Sequence, residues 1–99
     1  MAERIIIYWR DIPAQILVRR GRATARRQLP ERFMQAIDRC AMAVGARDSE
    51  AYLAQWRKSD PAPCGDDIEA EADAAAAAIV SAHDEARLAA LVANAGHAA

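Results

Sequence analysis

Two short apolar runs open the chain and predict two β-strands. Residues 4–9 form a compact β-branched and aromatic run, which is typical of a strand. Residues 10–13 contain Asp and Pro, which favour a turn, and residues 14–20 then alternate in polarity as a second strand does. Because the connection is short, we expect an antiparallel hairpin that ends at Gly21. The following stretch, as far as Leu29, is a basic segment.

The spacing of apolar residues then changes to that of a helix. Proline is favourable in the first turn of a helix, where Pro30 lies, and the negative charge of Glu31 is favourable near the positive end of the helix dipole. Gly45 is a favourable residue just after the last turn. The apolar face consists of Phe33, Ile37, Cys40, Ala41 and Val44. A second helix capped by Asp48 or Ser49 should carry Tyr52, Leu53 and Trp56 on one side. The two helices are expected to form a helical hairpin packed on the β-hairpin.

Residues 59–65 are a linker by composition, and an acidic, alanine-rich helical region follows. Asp66 with Glu69 resembles a capping box, and Ser81 with Asp84 resembles another helix start. The apolar positions are Ile68, Ala72, Ala75, Ala76 and Ile79, then Leu88, Leu91 and Val92, with Gly96 at the end. Residues 66–95 fit one kinked helix or two shorter ones equally well. Because alanine offers little area to bury, this region is expected to dock weakly.

These elements predict an α+β fold with two parts. Residues 1–58 form an α+β domain, and residues 59–99 form a linker and an acidic helical extension. A two-stranded ribbon is only marginally stable alone, so its edges are expected to pair with another protein or with a second copy in a homodimer. The alternative is that the C-terminal segment covers the exposed side.

Charge is distributed unevenly between these parts, although the net charge is only -1. Residues 1–58 carry 12 Lys/Arg against 6 Asp/Glu, and residues 59–99 carry 1 against 8. The densest basic group is Arg19, Arg20, Arg22, Arg26 and Arg27. Guanidinium groups suit an acidic protein surface, and they also suit phosphates or nucleic acid. A third interpretation is a solvated face that the acidic region neutralises.

Trp9 and Arg10, at the end of the first strand, are further candidates for partner or anion binding. The alternative is structural, with Trp9 packed in the core and Asp11 fixing the turn before Pro13.

Little in the chain suggests catalysis or a cofactor. Cys40 lies on an apolar helix face, Cys64 lies in the linker, and the two histidines are isolated. No catalytic triad, metal-ligand spacing or glycine-rich phosphate loop is evident. We therefore expect no enzyme activity, no metal and no cofactor. The absence of a signal peptide and of an 18-residue apolar run favours a soluble protein in the cytoplasm.

The run Ile7-Tyr8-Trp9-Arg10-Asp11-Ile12-Pro13-Ala14-Gln15 resembles the bacterial "virulence factor" domain family. The similarity continues through Gly21-Arg22, residues 29–33, residues 36–39, Tyr52-Leu53 and Trp56-Arg57, and it covers roughly residues 4–58. The resemblance implies a small module without a defined catalytic motif, which also occurs fused to HEAT-repeat and NifU-like segments.

The predicted function is thus a non-catalytic, protein-binding or accessory module. Its binding residues would be Trp9, Arg10, Arg19, Arg20, Arg22, Arg26 and Arg27. One alternative is nucleic-acid or phosphate binding by the same arginines. Another, implied by the resemblance, is an accessory subunit of a one-carbon (folate or corrinoid) or iron–sulfur enzyme complex.

Overall fold

The computed structural model describes residues 1–46 and 48–98, and it confirms the α+β class. The strands are β1 (Ala2–Trp9), β2 (Ile12–Arg20), β3 (Ala23–Gln28), β4 (Trp56–Lys58) and β5 (Ala62–Cys64). The helices are α1 (Glu31–Ala43), α2 (Ser49–Ala54), α3 (Ile68–Ala82) and α4 (Glu85–Ala93). The strands form one antiparallel sheet in the order β3-β2-β1, and both β4 and β5 pair with the far side of β1.

The predicted N-terminal hairpin is confirmed, with a tighter turn than expected. Only Arg10 and Asp11 connect β1 to β2, because Ile12 and Pro13 already pair with Trp9 and Tyr8. The pairing then skips Ala14, which makes a bulge in β2. Arg10 adopts a left-handed backbone with φ 53°, a conformation that is costly for a residue with a side chain.

The basic segment after Gly21, to which the sequence pattern assigned no secondary structure, forms strand β3. Gly21 has φ 58° and Arg22 is not left-handed, as in a type II′ hairpin turn with glycine first. β3 then pairs with β2 along its whole length, from Arg20↔Ala23 to Gln15↔Gln28. With β3 on one side of the hairpin and β4 and β5 on the other, the sheet has five strands rather than two.

The hydrophobic core lies between one face of this sheet and the helices. Ile16, Val18 and Ala25 face it from the strands, and the predicted face of α1 is buried through Phe33 and Ile37. α2 is only six residues long; Leu53 is 63% exposed and Trp56 lies in β4. The helix that packs against α1 is instead α4.

The alanine-rich region forms two helices that join the same core. α3 begins after Asp67, whose side chain accepts the Ala70 N–H, so Asp67 and not Asp66 is the cap. The second helix begins after Asp84. Ala72 is 0% exposed and Leu88 is 1% exposed, and both belong to the cluster that contains the strand residues. Small alanine side chains let α3 lie close over the sheet, and buried residues on both sides of residue 58 therefore share one core.

Candidate functional site

Alternation along the strands separates the predicted arginines onto two faces. Arg27 lies on the helix face with its neighbour Ala25, beneath α3. Its guanidinium forms ion pairs with Asp73, at 2.7 Å from Nε to Oδ1, and with Glu69. The hydrogen bonds that Arg27 donates to Asp73 and Glu69 raise the pKa of Arg27 above its ordinary value. The acidic region thus neutralises Arg27.

Arg20 is held by the same region through a backbone group. Its Nη1 donates to the carbonyl oxygen of Asp66 at 2.9 Å, just before α3 begins. Arg27 therefore follows the interpretation in which the acidic region neutralises the basic cluster. Arg20 contacts that region through a backbone carbonyl and forms no ion pair among the described residues.

The other arginines lie away from the helices. Arg19 and Arg26 are on the opposite face of the sheet, and Arg22 is exposed in the β2–β3 turn. Arg19 pairs with Glu3 at 3.1 Å, in a contact whose side chains are 47% and 44% exposed. Neither Arg22 nor Arg26 forms an ion pair within residues 1–46 and 48–98. Their charges face solvent.

We call this second side of the sheet the outer face. By strand register it comprises Glu3, Ile5, Ile7, Gln15, Leu17, Arg19, Thr24, Arg26, Gln28 and Lys58. The buried residues of α1, α3 and α4 all join the core on the other side, so these helices leave most of the outer face open. At one end, Glu31 and Met34 of α1 line a pocket with Gln15 and Gln28. At its centre Ile5 pairs with Leu17, and the two are only 4% and 8% exposed. The outer face is therefore a shielded aliphatic centre with a mainly basic border.

The side chains of Trp9 and Arg10, the other predicted binding residues, make hydrogen bonds to other parts of the same chain. Trp9 is 0% exposed, and its Nε1 donates to the carbonyl oxygen of Tyr52 at 3.0 Å. Arg10 lies over the Trp9 ring and donates from Nε to Gln55 Oε1 at 3.1 Å and from Nη1 to the Ala95 carbonyl at 2.7 Å. Trp9 thus has no exposed surface, and Arg10 is half-buried and hydrogen-bonded within the chain, as the structural alternative describes.

Asp11 completes this arrangement by holding the end of the chain. Its Oδ2 accepts the backbone N–H of Ala98 at 2.7 Å, and its Oδ1 accepts from Arg57 at 2.8 Å. Its own N–H donates to the carbonyl of Gly96 at 2.8 Å. The hydrogen bond from the Ala98 N–H, together with the one from Arg57, lowers the pKa of Asp11, although burial acts in the opposite direction. We call Arg10 and Asp11 together with residues 95–98 the C-terminal clasp.

A family model described as "virulence factor" matches residues 7–92. The chain belongs to the virulence factor family. The match extends across residues 59–92, which the resemblance seen in the sequence did not include. No curated protein and no solved structure matched the chain.

The structure gives a physical role to the sequence run that suggested the virulence factor family. Trp9, Arg10 and Asp11 join the end of β1 to α2, β4 and the residues that follow α4. Their hydrogen bonds hold the β1–β2 turn against parts of the chain that are distant in sequence.

Sequence reasoning missed a groove between α1 and α4, with a volume of about 590 Å³. Its lining includes residues of both charges: Arg32, Gln35, Asp38, Arg39, Glu85, Leu88 and Ala89. The Arg32 side chain already makes hydrogen bonds there, because its Nη2 donates to the carbonyls of Val80 and His83 at the end of α3. The Val80 carbonyl also accepts the His83 N–H, so Arg32 adds a second hydrogen bond there and supplies one to the His83 carbonyl at the helix end.

The cysteines offer little reactivity. Cys40 is fully buried, and burial raises the pKa of its thiol. Burial, followed by the nearby charge of Glu71, raises the pKa of the half-buried Cys64. In the part of the chain that the structure describes, no three His, Cys, Asp or Glu side chains group as metal ligands, and no helix is long and apolar enough to cross a membrane.

Proposed function

We propose that this member of the virulence factor family is a non-catalytic, cytoplasmic protein-binding module. Its partner would present an acidic surface to the outer face and to the adjoining β2–β3 turn. The observation that carries the proposal is the exposure of Arg22 and Arg26, whose charges no acidic group of the described residues balances.

Two features support an acidic protein over nucleic acid as the partner. The basic border is small, with Arg19, Arg22, Arg26 and Lys58, and Arg19 is already paired with Glu3. The carboxylates of α3 also border the β3 edge and would repel a phosphate backbone.

The test compares two double charge reversals of equal size. Arg22→Glu/Arg26→Glu changes the proposed surface, and Arg39→Glu/Arg87→Glu changes exposed arginines on the helix side. Tagged proteins would be used to capture partners from the native cell, with mass spectrometry of the captured proteins and circular dichroism to confirm folding. We expect the first variant to lose the wild-type partners and the second to keep them.

Unchanged capture by Arg22→Glu/Arg26→Glu would contradict the proposal. Binding of wild-type protein to RNA or DNA at low salt, with a steep decrease as salt rises, would instead favour nucleic acid as the partner. The identity of the captured proteins would also test the enzyme-complex role that the family resemblance implies.

A further inference from the structure

The sheet has one long edge whose hydrogen-bonding groups face away from the rest of the protein. The N–H of Leu29 donates to the carbonyl of Ala14 at 3.1 Å, which makes these two residues a hydrogen-bonded pair that extends the β2–β3 register. Bonded and non-bonded pairs alternate in an antiparallel ladder. The backbone N–H and C=O groups of Thr24, Arg26 and Gln28 must therefore point away from β2, and all three residues are exposed. The Arg26 carbonyl accepts a hydrogen bond from Arg27 Nη1 at 2.7 Å, and its second lone pair is left for an added strand.

The opposite edge of the sheet is protected. There β4 and β5 are three residues each, and β5 contains Pro63, which has no N–H to donate. Short strands and prolines are the usual means of preventing strand addition at an edge. β3, by contrast, has six residues without proline or glycine. Among the described strands, β3 is thus the one open to an added strand over a useful length.

We propose that the β3 edge binds an extended acidic segment of the partner as an additional strand of the sheet. The inference rests on the proposed function, since it assigns a binding mode to the same basic surface. Backbone hydrogen bonds to Thr24, Arg26 and Gln28 would supply affinity, and Arg22 and Arg26 would supply the preference for acidic residues.

The two sides of the edge select a particular residue pattern. Side chains of the added strand that lie on the outer face would sit beside Arg26, whereas the alternate side chains would lie beside Glu69 and Asp73 of α3. Acidic residues fit the first side and are repelled on the second. The preferred segment therefore carries acidic residues at every second position, with small uncharged residues between them.

Charge repulsion also disfavours the β3 strand of a second copy of this chain as the strand added at this edge. Two β3 strands paired about a two-fold axis at Arg26 would place the two Arg26 side chains directly opposite each other. An axis at Ala25 or Arg27 would leave them in diagonal contact. Like charges at such positions destabilise strand pairing.

The probe is a fluorescent eight-residue peptide of alternating Glu and Thr, with an isomer of Glu-Glu-Thr-Thr blocks as the control. Binding to the full chain would be measured by fluorescence anisotropy at low salt. We expect the alternating peptide to bind about tenfold more tightly than its isomer, because only the former places all its carboxylates on one side. Amide hydrogen exchange should slow at Thr24, Arg26 and Gln28 on binding. Equal affinity for both peptides, or no protection of these amides, would overturn the strand model.

A pair of variants separates backbone docking from charge attraction. Thr24→Pro removes an N–H that β2 does not use, so the sheet should persist, and Thr24→Val keeps that N–H. We expect about tenfold weaker peptide binding for Thr24→Pro and little change for Thr24→Val. Loss of binding in Arg22→Glu/Arg26→Glu but not in Thr24→Pro would refute strand addition and leave the acidic-partner function standing. If the charge reversal had no effect either, both proposals would fail.

Discussion

Arg10 donates a hydrogen bond to the carbonyl oxygen of Ala95 at 2.7 Å, across 85 positions of sequence. Asp11, the next residue, holds Gly96 and Ala98 in the same clasp. The β1–β2 turn therefore fixes the direction in which the chain leaves α4. Since α4 contributes Leu88 and Leu91 to the core, the clasp stabilises the acidic C-terminal region as part of the fold.

Removing the arginine of the clasp should loosen the C-terminal segment before the whole protein unfolds. Arg10→Ala loses a charge-assisted hydrogen bond to the Ala95 carbonyl, and we expect about 2 kcal/mol of destabilisation in urea unfolding. Cys40 is buried beside Gly96 and can report the opening, in a Cys64→Ser background. Its labelling by a thiol reagent should accelerate about tenfold. An unaltered labelling rate would show that the clasp does not cover Cys40. Arg39→Ala is the matched arginine control and should leave the labelling rate unchanged.

The close packing of Gly96 can be tested against a glycine of similar conformation. A Cβ at Gly96 would approach Arg10 Cδ and Cys40 Sγ at 3.1 Å, whereas a Cβ at Gly45 would meet nothing within 4 Å. The φ angles are 83° and 77°, so alanine costs about 1–2 kcal/mol of backbone energy at either site. Gly96→Ala should cost about 1–3 kcal/mol more than Gly45→Ala in thermal or urea unfolding, because it also overpacks. Equal losses would contradict this packing.

Acid should release the clasp through Asp11. Its folded pKa is lowered, chiefly by the Ala98 N–H, so its stabilising contribution is complete above the pKa of the unfolded chain, about 3.9. That contribution is lost as the pH falls further through the folded pKa. We expect Asp11→Asn to be less stable than wild type at pH 7, with the difference shrinking below about pH 4. Urea unfolding across this range measures it, with Asp60→Asn as control; a constant difference would exclude the role of this titration.

Helix α1 was predictable because its apolar spacing survives whatever it packs against, whereas the predicted apolar side of α2 is not buried as a helix face. The face containing Phe33, Ile37 and Cys40 is buried as its period requires, and the Asp48 cap forms as predicted. β3 was not predictable in the same way. Ala25 is its only fully buried residue, and two adjacent arginines obscure the alternation, so the strand exists through its pairing with β2.

The local sequence pattern also could not predict the C-terminal clasp or the way in which the basic cluster is divided between the two faces of the sheet. Residues adjacent in sequence, Arg26 and Arg27, lie on opposite faces, and that assignment needs the strand register. The partners of Arg27 are 42 and 46 positions away. Without knowing that α3 lies over β3, the sequence could indicate that the arginines and the acidic region attract, but not which arginines remain exposed.

This division predicts that two neighbouring charge reversals differ in their effect on thermal stability. Arg27→Glu would set a third carboxylate beside Glu69 and Asp73, so we expect a lower melting temperature. Arg26→Glu lies on the open outer face and should change the melting temperature by no more than about 3 °C. Adding Glu69→Arg to Arg27→Glu restores an opposite-charge pair and should recover part of the loss, whereas Glu69→Arg added to Arg26→Glu should not stabilise it. Thermal unfolding of the four variants tests this directly. A wild-type melting temperature for Arg27→Glu would mean that the contact between β3 and α3 does not depend on this ion pair, and Arg27 would return to the set of residues available for a partner.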